Sequence, residues 1–149
     1  KDGIVGIVDY AHTPDALSKV ITSIRKFCDV EKDLIIVVGC GGNRDAGKRS
    51  IMAKIAAENS SLSIFTSDNP RFENPESILD DMCADLESTL ARKIKRITNR
   101  EDAIRTAVES ASKGEIVLIA GKGHENYQEI RSVRHPFDDF KILKKILKI

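Results

Sequence analysis

Two arginines and two carboxylates are the side chains of this sequence whose types best suit a shared ligand. Arg44 and Arg71 each present a planar guanidinium fork that can bind a carboxylate through two hydrogen bonds. Asp68 and Glu125 can each accept hydrogen bonds from an ammonium group. In one pocket, the four would suit a small molecule with several amino and carboxyl groups. The alternative is that they form ion pairs with one another at the surface.

A glycine-rich segment around Arg44 has most of a phosphate-binding sequence. Residues 42–48 match the GxxxxGK pattern of a P-loop and follow a strand-like run. The next residue should be serine or threonine to hold a magnesium ion, but it is Arg49, and Ser50 comes one place late. The glycines can instead serve a sharp turn between a strand and a helix. The sequence therefore favours the turn and leaves phosphate binding open.

Histidines and cysteines give no further sign of catalysis or metal binding. His12 and His124 lie in loop-like segments, and neither is recognisably paired with a serine or cysteine nucleophile. Cys28, Cys40 and Cys83 are far apart and form no CxxC pair. We therefore expect reduced thiols and no zinc site. Cys40, which lies beside glycines, is interpreted as a packing residue.

Strand-like and helix-like segments alternate along the chain. Short apolar runs rich in β-branched residues predict five strands, at 4–8, 34–38, 62–66, 94–98 and 116–120. This repeat predicts an α/β fold, with a mostly parallel sheet and helices on both of its faces. Ligands bind such sheets at the carboxyl ends of the strands. The loops that carry the residues above should therefore meet at one edge of the sheet.

Capping residues mark the starts of the predicted helices. Thr13, Asn74 and Asn99 are predicted N-caps, and a proline follows each of the first two. A short hairpin is predicted at 127–135. The closing helix is predicted to have an apolar face that includes Phe140, Leu143 and Leu147.

The composition is that of an ordinary soluble globular domain of 149 residues, with 41% hydrophobic and 32% charged residues. The formal net charge is +1 and its signs are mixed, which predicts neither a nucleic-acid-binding nor a membrane-binding surface. No apolar run approaches the ~20 residues of a membrane span. Reduced thiols and the absence of a signal peptide predict a cytoplasmic protein. The start at Lys1 rather than methionine suggests a piece of a longer protein.

Four segments, in order along the chain, resemble the Mur ligases. They are DYAHTPDAL at 9–17, VVGCGGNRDAGKR at 37–49, TSDNPR at 66–71 and GKGHENYQE at 121–129. Together they extend over nearly the whole chain, so they are far more specific than a single glycine pattern. The resemblance implies that residues 1–149 form the C-terminal, Rossmann-like domain of a three-domain ligase. An N-terminal domain for a UDP-sugar peptide and a central ATP-binding domain would then lie outside this chain.

The resemblance also implies which residues bind the substrates. DNPR, at 68–71, is the recognition motif of the members that add meso-diaminopimelate. The implied pocket residues are Arg44, Asp68, Asn69, Pro70, Arg71, Gly121 and Glu125. Asp9 and His12 would face the nucleotide, and no catalytic residue or metal ligand is expected in this domain. Asn43 and Phe140 depart from the family pattern, which more often has aspartate and arginine there, but both lie outside the implied pocket.

The implied reaction is ATP-dependent amide formation in peptidoglycan precursor synthesis. The domain would bring meso-diaminopimelate to UDP-MurNAc-L-Ala-D-Glu, while ATP and Mg²⁺ would be bound mainly by the central domain. Alone, the domain should be inactive. Three alternatives stay open: a related ligase that uses another diamino acid or a peptide, a stand-alone nucleotide-binding module, and a non-catalytic partner-binding domain.

Overall fold

Five parallel strands form the central sheet of the computed structural model, which describes residues 3–28 and 33–149. Across the sheet they lie in the order β1 (Val5–Asp9), β5 (Ile116–Ala120), β2 (Leu34–Val38), β3 (Leu62–Phe65) and β4 (Ile94–Arg96). Every neighbouring pair is parallel. The predicted α/β sheet is confirmed, and the observed strands begin and end within two residues of the predicted ones.

Six helices connect and cover these strands in the described residues. They are α1 (Pro14–Phe27), α2 (Gly47–Glu58), α3 (Pro75–Cys83), α4 (Ser88–Ala91), α5 (Arg100–Ser110) and α6 (Asp139–Leu147). The predicted caps are confirmed, because side-chain oxygens of Thr13, Asn74 and Asn99 accept hydrogen bonds from first-turn N–H groups. The sequence did not predict α4, since this single turn buries no residue and carries no apolar pattern.

The direction in which the chain crosses the sheet decides which face each helix covers. From β1 to β4 the chain moves one way, and α1, α2 and α3 pack on the same face. It then turns back to β5, and α5 lies on the opposite face beside α6. Right-handed crossovers produce this division because reversing the direction of travel exchanges the faces. The return places β5 between β1 and β2.

Alternate residues of the central strand β2 face two separate apolar cores. Leu34, Ile36 and Val38 pack with α1, α2 and α3. Ile35 and Val37 pack with α5 and α6 on the other side of the sheet. All five side chains are buried. The unbroken apolar run in the sequence therefore reflects a strand covered on both faces.

The closing helix α6 confirms two of its three predicted apolar contacts. Leu143 and Leu147 are buried in the second core, but Phe140 is 61% exposed. The prediction for Phe140 was wrong because the inward face of α6 instead begins at Asp139, whose buried carboxylate lies one and two helical turns before the two leucines. None of the helices in the described residues is long and apolar enough to cross a membrane.

The predicted hairpin is also present, next to the loops at the carboxyl edge of the sheet. It consists of β6 (Tyr127–Ile130) and β7 (Val133–Pro136), which pair antiparallel. Its two turn residues, Arg131 and Ser132, have positive φ angles of 48° and 63°. Positive φ at both central positions is the geometry of a type I′ turn, which matches the twist of the two strands.

Candidate functional site

A cavity of about 540 Å³ opens at the carboxyl ends of β1, β2, β3 and β5. Each of these strands is followed by one of four loops, which we call the first (9–13), second (39–46), third (66–73) and fourth (121–126) loop. Residues from all four loops line the cavity. The predicted meeting of these loops at one edge of the sheet is confirmed.

The second and third loops pack backbone against backbone. The Gly42 N–H donates to the Asn69 carbonyl at 2.8 Å. A β-carbon at Gly42 would overlap the Pro70 carbonyl, so only glycine permits this approach. The close packing brings Arg44, on the second loop, and Arg71, on the third, to the same wall of the cavity.

Arg44 and Arg71 have no ion pair with the two carboxylates of the predicted set. Gly41 lies between the arginines, since a β-carbon there would be 2.9 Å from Arg71 Nη1 and 3.6 Å from Arg44 Cγ. Arg44 is exposed and has no hydrogen bond or ion pair within residues 3–28 and 33–149. Asp68 and Glu125 instead form their ion pairs with Lys122. The alternative of mutual surface ion pairs is therefore wrong.

Arg71 is held by the second loop and by the hairpin. Its Nη1 donates to the Gly42 carbonyl at 2.9 Å, and its Nε lies 3.3 Å from Glu129 Oε2. Its backbone N–H donates to the Glu129 carbonyl, and its own carbonyl accepts from the Arg131 N–H. These bonds hold a left-handed backbone with φ of 52°, which is strained for a residue other than glycine. A side chain fixed in this way loses little entropy when it binds a carboxylate.

Asp68 and Glu125 form an acidic part of the wall, with a buried lysine behind them. The side chain of Lys122 is 0% exposed, and its Nζ lies 2.9 Å from Asp68 Oδ1 and 3.5 Å from Glu125 Oε2. Nζ donates to the Asn69 side-chain oxygen at 2.7 Å and to the Tyr127 carbonyl at 2.9 Å. The contact with Asp68 is electrostatic only, because Asp68 Oδ1 has no hydrogen bond of adequate geometry.

Asn69 and Gly121 shape the acidic part of the wall. The Asn69 side-chain oxygen also accepts from the Glu129 N–H at 2.9 Å, and its side-chain nitrogen lies 3.4 Å from Glu125 Oε2. Gly121 has φ of 117°, and a β-carbon there would be 3.0 Å from Asp68 Oδ2. A larger residue at Gly121 would therefore strain the backbone and crowd the carboxylate.

Six of the seven predicted pocket residues line the cavity: Arg44, Asp68, Asn69, Arg71, Gly121 and Glu125. The structure places Pro70 outside it, in an adjacent depression. Pro70 lies outside the cavity because the second and third loops pack together, with the Pro70 carbonyl in contact with Gly42. The predicted place of Pro70 in the pocket wall is corrected accordingly, and what the other six bind remains a prediction.

The first loop brings aromatic rings to the cavity. The Tyr10 ring centroid lies 4.6 Å from that of His12 and 5.4 Å from that of His124. His12 lines the cavity, and its Nδ1 is 2.9 Å from the Tyr10 carbonyl oxygen. Asp9 does not line it, because its carboxylate accepts from the Ala11 N–H at 2.8 Å and closes a turn. A nucleotide-facing role for Asp9 and His12 remains a prediction.

The GxxxxGK segment at 42–48 uses several of its backbone donors internally. A P-loop directs its N–H groups at phosphate oxygens. Here the Asn43 N–H donates to the Glu73 carboxylate, and the Gly47 N–H donates to Asp45 Oδ1 at 2.9 Å. A carboxylate bound inside the loop would also repel a phosphate group. The geometry therefore supports the interpretation of this segment as a turn.

Arg49, at the position where a P-loop has serine or threonine, is a buried structural residue. It is 2% exposed, lies 2.6 Å from Glu73 and 2.9 Å from Asp81, and donates to the Gly41 carbonyl. These contacts join α2 to the second loop, the third loop and α3. The hydrogen bond with Glu73 raises the pKa of Arg49, and the same bond lowers the pKa of Glu73 below its ordinary value.

A fully buried ion pair lies beneath the third and fourth loops. Arg100 Nε and Nη2 donate to the two oxygens of Asp139 at 2.8 and 2.7 Å, and both side chains are 0% exposed. The same guanidinium donates to the carbonyls of Ser67 and Ala120, at the starts of the two loops. Burial lowers the pKa of Arg100, but Asp139 raises it, and the net direction is upward. The pair fixes both loops to α5 and α6.

Sequence reasoning missed Lys122, Arg49 and Arg100 as residues that build this site. The sequence did contain one signal, a charged residue at the boundary of a buried element. Lys122 comes two positions after a predicted strand, and Arg49 and Arg100 lie in the first turns of helices with an apolar face. Lys122 directly follows Gly121 and the buried run of β5. A charge so close to a buried strand requires a partner, but the sequence alone does not name it.

Cys40 belongs to the cavity wall as a packing residue. It is buried, and its Sγ lies 3.9 Å from Met52 Sδ. Burial, with a smaller contribution from the Asp68 charge, raises the pKa of the thiol to about 12. The thiol therefore stays protonated at neutral pH and is a poor nucleophile. In the part of the chain that the structure describes, no three histidine, cysteine or acidic side chains are placed to hold a metal ion.

Comparison with known proteins assigns these loops to a family. The model of the Mur ligase glutamate ligase domain matches residues 1–123. The chain belongs to the Mur ligase family. The family resemblance found in the sequence is thus confirmed, and the match includes the first, second and third loops and the beginning of the fourth.

Curated Mur ligases from two bacteria align with nearly the whole chain. Both are named UDP-N-acetylmuramoyl-L-alanyl-D-glutamate--2,6-diaminopimelate ligase. The protein of Bacteroides thetaiotaomicron is 55% identical over 144 residues, which is 97% of this chain. That of Bacteroides fragilis is 53% identical over 147 residues, or 99% of this chain. The chain spans only 30% of the length of each relative.

Solved Mur ligase structures share the fold. A structure of a ligase of the same name superposes with a TM-score of 0.92 at 44% identity, over 99% of this chain and 30% of that one. A murein peptide ligase from Psychrobacter arcticus has a TM-score of 0.66 at 14% identity, over 99% of this chain and 27% of that one. The second comparison shows the fold alone.

Proposed function

We propose that this chain is the amino-acid-binding domain of a cytoplasmic, ATP-dependent ligase that adds meso-diaminopimelate to UDP-MurNAc-L-Ala-D-Glu in peptidoglycan precursor synthesis. The two curated relatives carry the name of a diaminopimelate ligase. The single observation that carries the proposal is the charge arrangement of one cavity. Arg44 and Arg71 lie together in its wall, and Asp68 and Glu125 form a separate acidic part.

The chemistry of meso-diaminopimelate complements that arrangement. The molecule has one carboxylate and one amine at each end of a short carbon chain. The carboxylates suit the guanidinium groups of Arg44 and Arg71, through two-point hydrogen bonds. One ammonium group suits Asp68 and Glu125, and the other amine stays free to form the new amide. The cavity volume of about 540 Å³ lies within the usual range for small-molecule sites.

Selection against lysine follows from the second carboxylate. Lysine is the same molecule without the distal carboxylate, so it leaves one arginine without a partner. A site built to bind a charged group discriminates strongly against a ligand that lacks it, because the unpaired group has lost its water. Arg71 suits this role because its hydrogen bonds with Gly42 and its contact with Glu129 hold it in place before the ligand arrives.

This domain contributes positioning to the reaction. ATP supplies the phosphoryl group that activates the D-glutamate side-chain carboxylate as an acyl phosphate. The free amine of diaminopimelate then attacks the carbonyl carbon of the acyl phosphate. Phosphate leaves, and an amide bond forms. The arginines and carboxylates of the cavity hold the amino acid so that this amine points out of the domain. No covalent catalysis by a residue of this chain is required.

Nucleotide and metal contacts come mainly from parts of the ligase outside this chain. The turn at 42–48 uses the N–H groups of Gly42, Asn43, Gly47 and Lys48 internally, and the Glu73 carboxylate bound to it disfavours a triphosphate. Among the described residues no acidic cluster fits Mg²⁺. The rings of Tyr10 and His12 lie at the cavity wall and fit a supporting contact with a planar nucleobase.

Calorimetric titration of the 149-residue chain tests the proposal directly. We expect meso-diaminopimelate to bind, L-lysine to bind at least about tenfold more weakly, and Mg-ATP to give no measurable heat. Arg71→Ala should abolish the preference for diaminopimelate over lysine. Arg92→Ala is the matched control, since Arg92 is exposed, directly follows α4 and does not line the cavity.

Each alternative function has its own outcome in this experiment. Equal affinity for lysine and diaminopimelate would indicate a related ligase with another substrate. Tight Mg-ATP binding by the isolated chain would instead indicate a stand-alone nucleotide-binding module. If the folded chain binds none of the three ligands, that result would contradict the proposal and favour a partner-binding domain.

A further inference from the structure

We propose that Lys122 is a positioning residue that sets the ligand-binding site to accept one ammonium group and no more. This inference rests on the proposed function. Lys122 does not line the cavity, and its side chain is 0% exposed. It acts through Asp68 and Glu125, the two carboxylates that do line the cavity.

The contacts of Lys122 show how it would act. Its Nζ contacts one oxygen of each carboxylate, at 2.9 Å from Asp68 Oδ1 and 3.5 Å from Glu125 Oε2. Asp68 Oδ1 is buried, and Glu125 Oε2 also lies 3.4 Å from the Asn69 side-chain nitrogen, so both oxygens are engaged within the protein. Asp68 Oδ2 and Glu125 Oε1 have no hydrogen bond within the described residues and remain for a ligand. The lysine thus orients both acceptors with one charge.

The charge balance limits what the acidic wall can bind. Two carboxylates and one buried ammonium carry one net negative charge. A ligand ammonium neutralises that charge, so a second ammonium gains little there. Without Lys122, the two carboxylates would repel each other and would lose the cation that contacts both, because the other buried cation nearby, Arg100, is paired with Asp139. In a ligase for a diamino acid, this limit leaves the second amine free to react.

The same lysine connects the acidic wall to the arginine that binds the ligand carboxylate. Lys122 donates to the Tyr127 carbonyl and the Asn69 side-chain oxygen. That oxygen also accepts from the Glu129 N–H, and the Glu129 carbonyl accepts from the Arg71 N–H. The ammonium end and the carboxylate end of the site therefore share one hydrogen-bonded network. We expect Lys122 to set the distance between them.

A set of ligands separates this role from a merely structural one. The 149-residue chain and Lys122→Met are titrated with meso-diaminopimelate and with each enantiomer of 2-aminopimelate. Each enantiomer keeps both carboxylates and lacks one of the two amines. Chemical shifts in NMR spectra give the dissociation constants, and they also show whether the variant is folded. Lys93→Met is the matched control, because Lys93 is a half-buried lysine that donates to two carbonyls outside the cavity.

The expected result is a loss that depends on the ligand. Lys122→Met should weaken meso-diaminopimelate about tenfold or more. It should weaken one 2-aminopimelate enantiomer similarly, and leave the enantiomer that lacks the bound ammonium changed by less than about twofold. Lys93→Met should leave all three affinities unchanged. This pattern would show that Lys122 acts on the ammonium through the carboxylates.

Other outcomes overturn the inference in distinguishable ways. Equal weakening of all three ligands by Lys122→Met would assign Lys122 a structural role only. If that variant does not fold, Lys122→Gln replaces it, since its amide can still donate without the charge. Failure of both variants to fold would likewise show that the role is structural. If the unsubstituted chain binds none of the ligands, the proposed function itself fails.

Discussion

The carboxyl edge of the sheet uses arginine in two regions with opposite surroundings. In the cavity wall, Arg44 is exposed and has no hydrogen-bond or ion-pair partner among the residues that the structure describes, and Arg71 is 20% exposed with one carboxylate contact at 3.3 Å. Beneath the loops, Arg49 and Arg100 are 2% and 0% exposed and have carboxylate partners at 2.6 and 2.7 Å. Arg49 and Arg100 use most of their hydrogen-bond donors within the protein, and Arg44 and Arg71 do not.

The difference separates arginines that build the site from arginines available to a ligand. A buried guanidinium must be paired, because an isolated buried charge is very costly. A guanidinium with free donors in a cavity forms its remaining hydrogen bonds with the ligand, so it contributes to affinity. We therefore expect substitutions beneath the loops to lower stability first, and substitutions in the wall to lower affinity first.

The largest effect is expected for Arg100→Met. It leaves Asp139 fully buried without its partner and frees the Ser67 and Ala120 carbonyls. Breaking a buried pair in this way costs about 3–5 kcal/mol of unfolding free energy. Urea denaturation followed by circular dichroism would measure it. A loss under about 1 kcal/mol would show that the pair is not needed for the fold.

A double variant sharpens the test. Arg100→Met combined with Asp139→Leu removes both charges and places apolar groups in their positions. Because the cost arises from an unpaired buried charge, we expect the double variant to be more stable than Arg100→Met alone. A double variant that is less stable would indicate that the carbonyl contacts of Arg100, rather than its charge pairing, hold the loops.

The next effect concerns affinity, for Arg71→Ala. Removing a charge-assisted pair with the ligand carboxylate should cost about 1.5–3 kcal/mol, or roughly 10- to 150-fold in the dissociation constant of meso-diaminopimelate. Calorimetry would measure this loss. Arg71→Gly is a useful comparison, since glycine relieves the positive φ of 52°. We expect equal loss of affinity in both variants, with the glycine variant the more stable of the two.

A smaller loss of affinity is expected for Arg44→Ala. Arg44 is exposed and forms no hydrogen bond or ion pair within the described residues, so binding must order its long side chain, which reduces its net contribution. We expect about a tenfold weaker dissociation constant and a change in unfolding free energy within about 0.5 kcal/mol. A stability loss comparable to that of Arg100→Met would remove the division between the two regions.

The sequence was sufficient for the sheet and for the meeting of the loops. The apolar runs at 34–38 and 116–120 could be assigned because buried parallel strands have no polar alternation. The caps Asn74 and Asn99 were equally clear, since their geometry is local. Loop convergence then follows from topology, because parallel strands end at the same edge.

What could not be predicted depends on contacts between distant parts of the chain. Lys122 and Asp68 are 54 positions apart, and Arg100 and Asp139 are 39 apart. Which charged residue is buried depends on packing that no local pattern encodes. Phe140 was misplaced for the same reason, since the buried partner of Arg100 rotates the face of α6 that points inward.

The smallest effect tests the partner of the other buried arginine. Glu73, whose side chain is 33% exposed, pairs with Arg49, and that bond lowers the pKa of Glu73 below its ordinary value of 4.5. A carboxylate with a lowered pKa stabilises the fold above its ordinary pKa, and the contribution is lost as the pH falls through its lowered value. We expect Glu73→Gln to be less stable at pH 7 by no more than about 1 kcal/mol, because the pair is partly exposed.

That difference should shrink as the pH falls below 4.5, because the wild-type carboxylate becomes protonated and resembles the amide. Urea midpoints of the two proteins across this range would measure it. Glu58→Gln is the matched control, since Glu58 lies on α2 with Arg49 and its contact with Lys54 is exposed and 3.8 Å long. A gap between wild type and Glu73→Gln that stayed constant with pH would show that Arg49 is held by Asp81 and the Gly41 carbonyl instead, and the buried region would then depend less on charge pairing than the cavity wall does.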